Sequence, residues 1–374
     1  MIPFSRPAFF EASKDYVEDT IKSGKLSGDG PYTQRCQAWF KNELGIDEAL
    51  MVPSCTAALE LSALLLDLGP EDEVILPSFA FTSTANAFAL RGARLIFVDV
   101  EPDTMNIDPG LIEAAVSERT RVIVALHYAG VACDMDRIME IAQKRDLIVV
   151  EDAAQGLMSS HRGRPLGTIG HLGCISFHET KNIVCGEGGA LYVNDPALKR
   201  RAEIIREKGT NRSEFFRGEV DRYNWQDIGS SYLLGEINAA LLLGQLDHAR
   251  EITADRLATY DYYKVELKPL AEAGHIEFSR VPAECEHNAH IFFFKVTNLE
   301  VRTKLLQFLR ERKILATFHY VPLHSAPAGR RGEVAGELRW TEVESERLVR
   351  LPLYFGMSQD ERGEVVSALK EFFP

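Results

Sequence analysis

Between residues 49 and 195, short runs of apolar and β-branched residues alternate with stretches whose apolar side chains recur at i, i+3, i+4 spacing. The runs "ALMVPS" (49–54), "EVILPS" (73–78), "RLIFVDV" (94–100), "RVIVALHY" (121–128), "LIVVED" (147–152), "CISFH" (174–178) and "ALYVN" (190–194) are predicted strands. Between them, "CTAALELSALLLDLG", "TANAFALRG" and "DMDRIMEIAQKRD" carry the spacing of covering helices. Strands that are apolar on both faces and separated by helices predict an α/β unit with one large, mostly parallel, seven-stranded sheet. In open sheets of that kind ligands sit at the carboxyl ends of the strands, so the residues that follow each run are the first place to look for chemistry.

Beyond about residue 230 the texture changes. "YLLGEINAALLLGQLDHAREITADRLATYDYYKVEL" predicts one long helical run, "AHIFFFKVTN" a strand, and "VRTKLLQFLRERKI" a helix. "SQDERGEVVSALKEFF" predicts a final helix with a Ser358 to Glu361 capping box. A chain of 374 residues is also too long for a single ordinary core. The expected organisation is therefore a large domain over 1–230, then a connecting helix and a smaller α+β domain over 231–374.

Charge narrows the function. A formal net charge of −13 disfavours a nucleic-acid polymer or an anionic membrane as partner, while leaving room for a local cationic pocket that takes a small anion. The six cysteines include no C-x-x-C pair and no zinc-ligand spacing, so no metal is expected and the thiols read as reduced. The N-terminal stretch lacks a basic segment followed by a sustained apolar run, and no stretch approaches the ~20 apolar residues of a membrane span. A cytoplasmic protein is expected.

Candidate chemistry falls at the strand ends. Lys181 lies between "CISFH" and the glycine-rich turn "GEGG" (186–189), a turn that permits close backbone approach to a bulky ligand. A lysine amine becomes a nucleophile when its charge is suppressed. The stretch alone fits a solvated loop lysine equally well. Asp152 ends "LIVVED", where a buried carboxylate can hold a heterocyclic nitrogen protonated; a helix cap is the plainer reading. "PSCTAALE" (53–60) opens a helix with Ser54 and Thr56, which makes an anion site or an ordinary cap. Phe79 and Phe81 follow the second strand, where a ring could stack on a flat cofactor or pack in the core. Their order is more telling than any one of them: helix-start anion site, aromatic ring, strand-end Asp, then a lysine. Pyridoxal phosphate needs those four parts.

With these motifs in place, the sequence resembles the DegT/StrS-type sugar-nucleotide aminotransferases, pyridoxal-phosphate enzymes of the aspartate-aminotransferase-like fold type I. The likeness runs through "SGKLSGDG", "PSCTAALE", "EDEVILPSFAFTSTANA", "HYAGVACDMD", "VVEDAAQ", "SFHETKN" with "GEGGAL", and "FHYVPLH". It implies that Lys181 links to the cofactor, Asp152 bonds the pyridine nitrogen, Gln155 contacts the ring hydroxyl, and Phe81 stacks on the ring. It also implies that Thr56, the Ala57 backbone and Ser176 hold the phosphate, and that Phe79 is packing.

More narrowly, "REKGTNRSEFFRGEV", "WQDIGSSYLL" and "HETKN" are similar to enzymes that aminate dTDP-4-dehydro-6-deoxyglucose at C4. That implies L-glutamate as amino donor, a dTDP-keto sugar as acceptor, and a homodimer with active sites between subunits. His178, Glu179, His319 and Tyr320 would then meet the sugar or the nucleotide, and the stretch from Lys208 to Arg212 the diphosphate. Many family members carry "G-x-N-x-R-M", whose Asn reaches the neighbouring subunit's phosphate. Here "GSSYLLG" puts Ser231 and Leu233 at those places, so only Ser231 is left as a substitute. Retention of Lys181 argues against the related dehydratases, which carry histidine there. The absence of G-x-G-x-x-G after the first strand argues against a nicotinamide oxidoreductase.

Overall fold

The computed structural model describes residues 1–373. Its strands are β1 (Ala49–Val52), β2 (Glu73–Pro77), β3 (Arg94–Val98), β4 (Thr120–Leu126), β5 (Ile148–Asp152), β6 (Ser160–His161) and β7 (Arg164–Pro165). There follow β8 (Leu172–Ser176), β9 (Gly189–Val193), β10 (Glu277–Phe278), β11 (Cys285–Glu286), β12 (Phe293–Lys295), β13 (Glu333–Val334) and β14 (Leu348–Arg350).

All seven predicted strands form, as β1 to β5, β8 and β9. They lie in a sheet of order β1-β9-β8-β5-β4-β2-β3-β13. Only β9 runs against its neighbours; the other pairings are parallel. The sheet has eight strands rather than the expected seven, because two residues from late in the chain, Glu333 and Val334, pair with Ile96 and Phe97 at the edge. A strand of two exposed residues leaves no alternating pattern in the sequence to detect.

The strands of the sheet's centre are buried on both faces, as their unbroken apolar runs require. Helices Cys55–Leu65, Thr82–Ala89 and Met135–Arg145 cover the sheet where the i, i+3, i+4 spacing predicts them. Because β1, β2, β4, β5 and β8 point the same way, the segments after them meet along one edge.

The predicted long helical run is two helices, Glu236–Leu246 and Ala249–Glu266, separated at Asp247 and His248. The first is apolar nearly all round and buried between the sheet's core and helices Glu11–Ser23 and Pro31–Leu44. Its first residue, Glu236, is fully buried and caps a different helix. Its carboxylate accepts hydrogen bonds from the backbone N–H groups of Gly30 (3.0 Å), Tyr32 (2.8 Å) and Thr33 (3.1 Å), and from the Thr33 hydroxyl. These are the orphan donors at the start of Pro31–Leu44, and a carboxylate also suits the helix dipole there.

The remaining residues build a second apolar cluster around the sheet β10-β12-β14 and helices Leu299–Glu311 and Gln359–Phe372. The final helix begins with the predicted Ser358–Glu361 capping box. The predicted strand "AHIFFFKVTN" is shorter than its apolar run, covering only Phe293–Lys295. Ahead of it, the Asn288 carboxamide accepts the His290 N–H and takes it out of any ladder. A ribbon of β11, β6 and β7 completes the fold.

Candidate active site

The carboxyl edge of the large sheet opens into a cavity of about 460 Å³. Each wall comes from a different strand end. β1 is followed at once by Ser54, whose hydroxyl accepts the Ala57 N–H (3.1 Å) and starts helix Cys55–Leu65. After β2, the chain presents Phe81 and then helix Thr82–Ala89; Ser83 meets Thr56 hydroxyl to hydroxyl at 2.8 Å. β5 ends in Asp152, and β8 ends in Ser176, five residues before Lys181.

Asp152 is buried, and its carboxylate accepts the Thr84 hydroxyl (2.6 Å) and the Ala154 N–H (3.2 Å). Burial raises its pKa, against the pull of those hydrogen bonds and of the nearby Lys181 charge. For Lys181, burial lowers the pKa; Cys55 and Asp152 oppose that shift and the Arg350 charge reinforces it. An amine whose charge is penalised in this way is closer to its nucleophilic form than a surface lysine.

A third wall comes from the C-terminal part. Gln155 accepts the Ala129 N–H (2.7 Å) and donates through Nε2 to the Tyr320 hydroxyl (3.0 Å). Tyr320 stacks on His319 with ring centroids 4.0 Å apart. His319 Nδ1 meets the Tyr128 hydroxyl at 3.2 Å, and its Nε2 faces Nη1 of Arg350. Burial, with the charges of Arg350 and Lys181, pushes the His319 pKa down to about 2, so the ring is neutral and accepts from the guanidinium. Burial likewise holds His290 well below the usual imidazole range, and its Nδ1 pairs with the Asn182 carboxamide at 2.9 Å.

The cavity wall therefore brings together Thr56, Phe81, Asp152, Gln155, Ser176, His178, Lys181, His319 and Tyr320 from the sequence-derived set. Phe81 is more than half exposed, whereas Phe79 is fully buried edge-on against Tyr128. Five expected residues fall outside the wall. The Ala57 N–H is committed to the Ser54 cap. Glu179 is exposed beyond the wall, and Lys208 and Ser231 are exposed on a neighbouring loop. Arg212 is engaged by Glu207 at 2.9 Å. Within the turn at 186–189, a Cβ on Gly189 would come within 2.5 Å of the Ser54 backbone, so this glycine lets the start of β9 pack against the helix start.

Among the wall residues that the sequence motifs did not single out are Phe4, Ser83, Thr84, His290 and Arg350. Thr84 stood unremarked in "FTSTANA". The signal for Arg350 was a lone cation inside the apolar run "LVRLPLY". Phe4 and His290 left no signal of their own.

Comparison with known proteins agrees with this geometry. The model of the DegT/DnrJ/EryC1/StrS aminotransferase family matches residues 8–370. An uncharacterized protein of Methanocaldococcus jannaschii is 33% identical over 378 aligned residues, covering 99% of this chain and 97% of its own. The aminotransferase TlmJ from Streptoalloteichus hindustanus superposes with a TM-score of 0.91 at 31% identity, covering 100% of this chain and 98% of its own. A Streptococcus pneumoniae protein described as a sugar aminotransferase, solved in a PLP form, gives a TM-score of 0.90 at 27% identity over 99% of this chain and 98% of its own. The chain belongs to the DegT/DnrJ/EryC1/StrS family, pyridoxal-phosphate-dependent sugar aminotransferases of fold type I.

Proposed function

We propose that this chain transfers the amino group of L-glutamate to C4 of dTDP-4-dehydro-6-deoxyglucose, giving a dTDP-4-amino-4,6-dideoxyhexose, and that it works as a homodimer. The observation that carries the reading is the meeting of Lys181, Asp152 and Gln155 in one cavity beside the hydroxyl cluster at the start of helix Cys55–Leu65. The choice of sugar rests on the segments "REKGTNRSEFFRGEV", "WQDIGSSYLL" and "HETKN".

The wall fits pyridoxal phosphate. Asp152 is a buried carboxylate whose hydrogen bonds come from a hydroxyl and a backbone N–H, leaving it able to hold a proton on a ring nitrogen. Thr56 and Ser176 offer hydroxyls where a phosphate would sit. Bound there, the cofactor supplies an electron sink for the carbanion formed when the donor loses its α-proton.

The chain's own residues do the rest. Lys181 would hold the cofactor, and its amine, whose charge burial disfavours, would serve as the base that takes the donor's α-proton and as the acid that returns it. In the second half-reaction the same amine would move a proton in the opposite sense while the sugar gains nitrogen. Asp152 would hold the proton on the ring nitrogen. Gln155, held by the Ala129 N–H and bonded to Tyr320, orients the ring hydroxyl side. His178, at the mouth, is tied to Thr180 at 2.9 Å and lies where the sugar would enter.

The test is direct. The cofactor-loaded protein is incubated with L-glutamate and dTDP-4-dehydro-6-deoxyglucose, and the product is assigned by NMR. Nitrogen at C4 supports the proposal; consumption of a different keto nucleotide sugar in its place overturns the choice of substrate.

A further inference from the structure

One histidine of the cavity wall has a protonation state that can be read from its hydrogen bonds. His290 is only 7% exposed and shares the wall with Lys181. The residue after that lysine, Asn182, faces it. Asn182 Nδ2 donates to the Asn288 carbonyl at 2.9 Å, and Asn182 Oδ1 meets His290 Nδ1 at 2.9 Å. A carbonyl can only accept, so the orientation of the carboxamide is fixed and its Oδ1 also accepts. Nδ1 of His290 therefore carries a proton. Burial, with the charges of Lys181, Arg256 and Arg350 and the ring of His319, keeps the imidazole neutral. A neutral imidazole protonated at Nδ1 has a bare lone pair at Nε2, and Nε2 makes no hydrogen bond among the described residues.

The ring cannot turn to find a partner. Its own backbone N–H is held by Asn288 Oδ1 (2.9 Å), and Asn288 Nδ2 is tied to the carbonyls of Gln155 and Leu157 at 2.8 Å each. The Arg256 guanidinium grips the carbonyls of Ala289 and His290 at 3.2 and 2.9 Å. A fixed lone pair repels carboxylates and phosphates and accepts amines and hydroxyls. The cavity wall carries one lysine, Lys181. Lys181 and His290 also border a second, small cavity of about 10 Å³, so both line a space no larger than about one water. Ser176, the hydroxyl that borders the same space, is the one proposed above for the phosphate.

We propose that His290 is the positioning residue for the reacting amine: when Lys181 is not bonded to the cofactor, Nε2 of His290 accepts one of its N–H groups. This rests on the aminotransferase reading and adds what steers Lys181 between its proton transfers. A long, freely rotating side chain would otherwise have to be ordered at every turnover, and a rigid acceptor removes that cost. His290 itself takes up no proton and stays neutral.

The test compares full-length wild type with His290→Asn and His290→Gln. Asparagine can keep a donor near the place of Nδ1, and with it the bond to Asn182, but has nothing at Nε2. Glutamine reaches the place of Nε2 with a carbonyl and gives up the bond to Asn182. The first readout needs no turnover: in protein freed of cofactor, the pH dependence of Lys181 labelling by trinitrobenzenesulfonate, followed by peptide mapping. The other groups that act on Lys181 are Cys55, Asp152 and Arg350, which both variants retain. An acceptor favours the charged amine, so its loss in His290→Asn should move the labelling midpoint down by about one pH unit, with His290→Gln near wild type. The second readout uses cofactor-loaded protein and L-glutamate. The rate of the first half-reaction, from the visible absorbance, should fall on the order of 10-fold in His290→Asn with glutamate affinity unchanged. A wild-type midpoint in folded His290→Asn overturns the assignment, as does a His290→Gln midpoint shifted as far as that of His290→Asn, which would leave the ring a structural tie to Asn182. Should His290→Asn not fold, nitrogen-15 NMR of wild-type His290 decides: a proton on Nδ1 and a bare Nε2 support the role, and the reverse overturns it. Should no amino group be transferred at all, the labelling midpoints still decide, since they do not depend on the reaction.

Discussion

Neutral histidines in the cavity wall have a consequence for stability that can be worked out residue by residue. His319, with its pKa at about 2, stays unprotonated in the folded chain well below the ordinary imidazole value of about 6.5. The unfolded chain binds a proton there and the folded chain does not. The stabilising contribution of the neutral ring is therefore fully present above about pH 6.5 and is lost as the pH falls below it, at up to about 1.4 kcal/mol per pH unit. Substitution His319→Gln keeps an acceptor for Arg350 and removes the titration. Chemical denaturation at pH 7 and pH 5 should show the variant losing about 2 kcal/mol less than wild type over that interval; parallel losses would show that His319 protonates in place. At this scale the sequence was legible where a motif fixed a side chain to a strand end, as for Asp152 and Lys181. It was not legible for Phe4 and His290, which reach the cavity by tertiary packing alone, and for Arg350 the only trace was a cation inside an apolar run.

Among the elements, the helix starts matter most. Ser54 opens the helix that forms one cavity wall, and Gly189 of β9 lies so close to it that a Cβ would strike the backbone. Glu236 does similar work at helix Pro31–Leu44, from 206 positions away in sequence from Gly30. Glu236→Ala leaves three buried N–H groups and a hydroxyl without their acceptor, and should cost roughly 3 kcal/mol in denaturant unfolding. Glu236→Gln, which retains one carbonyl oxygen, should cost less; equal stability of all three proteins would mean that water replaces the carboxylate. The seven sheet strands could be read because a buried parallel strand must be apolar along its length. The edge strand β13 and the break at Asp247 could not, since two exposed residues carry no period and the apolar texture continues through the break.

For the molecule as a whole, the cavity at the carboxyl edge of the sheet sets Lys181 and Arg350 beside the carboxylates Asp152 and Glu187, in a chain that carries −13 overall. No helix among the described residues is long and apolar enough to cross a membrane. The segment from Lys208 to Ser231, which includes the short helix Arg212–Phe216, stands outside the cavity and carries the exposed aromatics Phe216, Tyr223 and Trp225, with Trp225 80% exposed. Apolar surface of this kind is usually covered, and the proposed homodimer would cover it. Sedimentation should give twice the mass of 41.9 kDa, and Trp225→Glu should shift the protein toward that single-chain mass; a monomeric wild type would contradict the proposed assembly. One measurement goes furthest toward the centre of the account, which is that Lys181 carries the chemistry. The protein loaded with pyridoxal phosphate is reduced with borohydride, digested and mapped by mass spectrometry. The account predicts the cofactor's mass on the peptide containing Lys181 and none in Lys181→Ala; label on another lysine, or no label in the wild type, would contradict it.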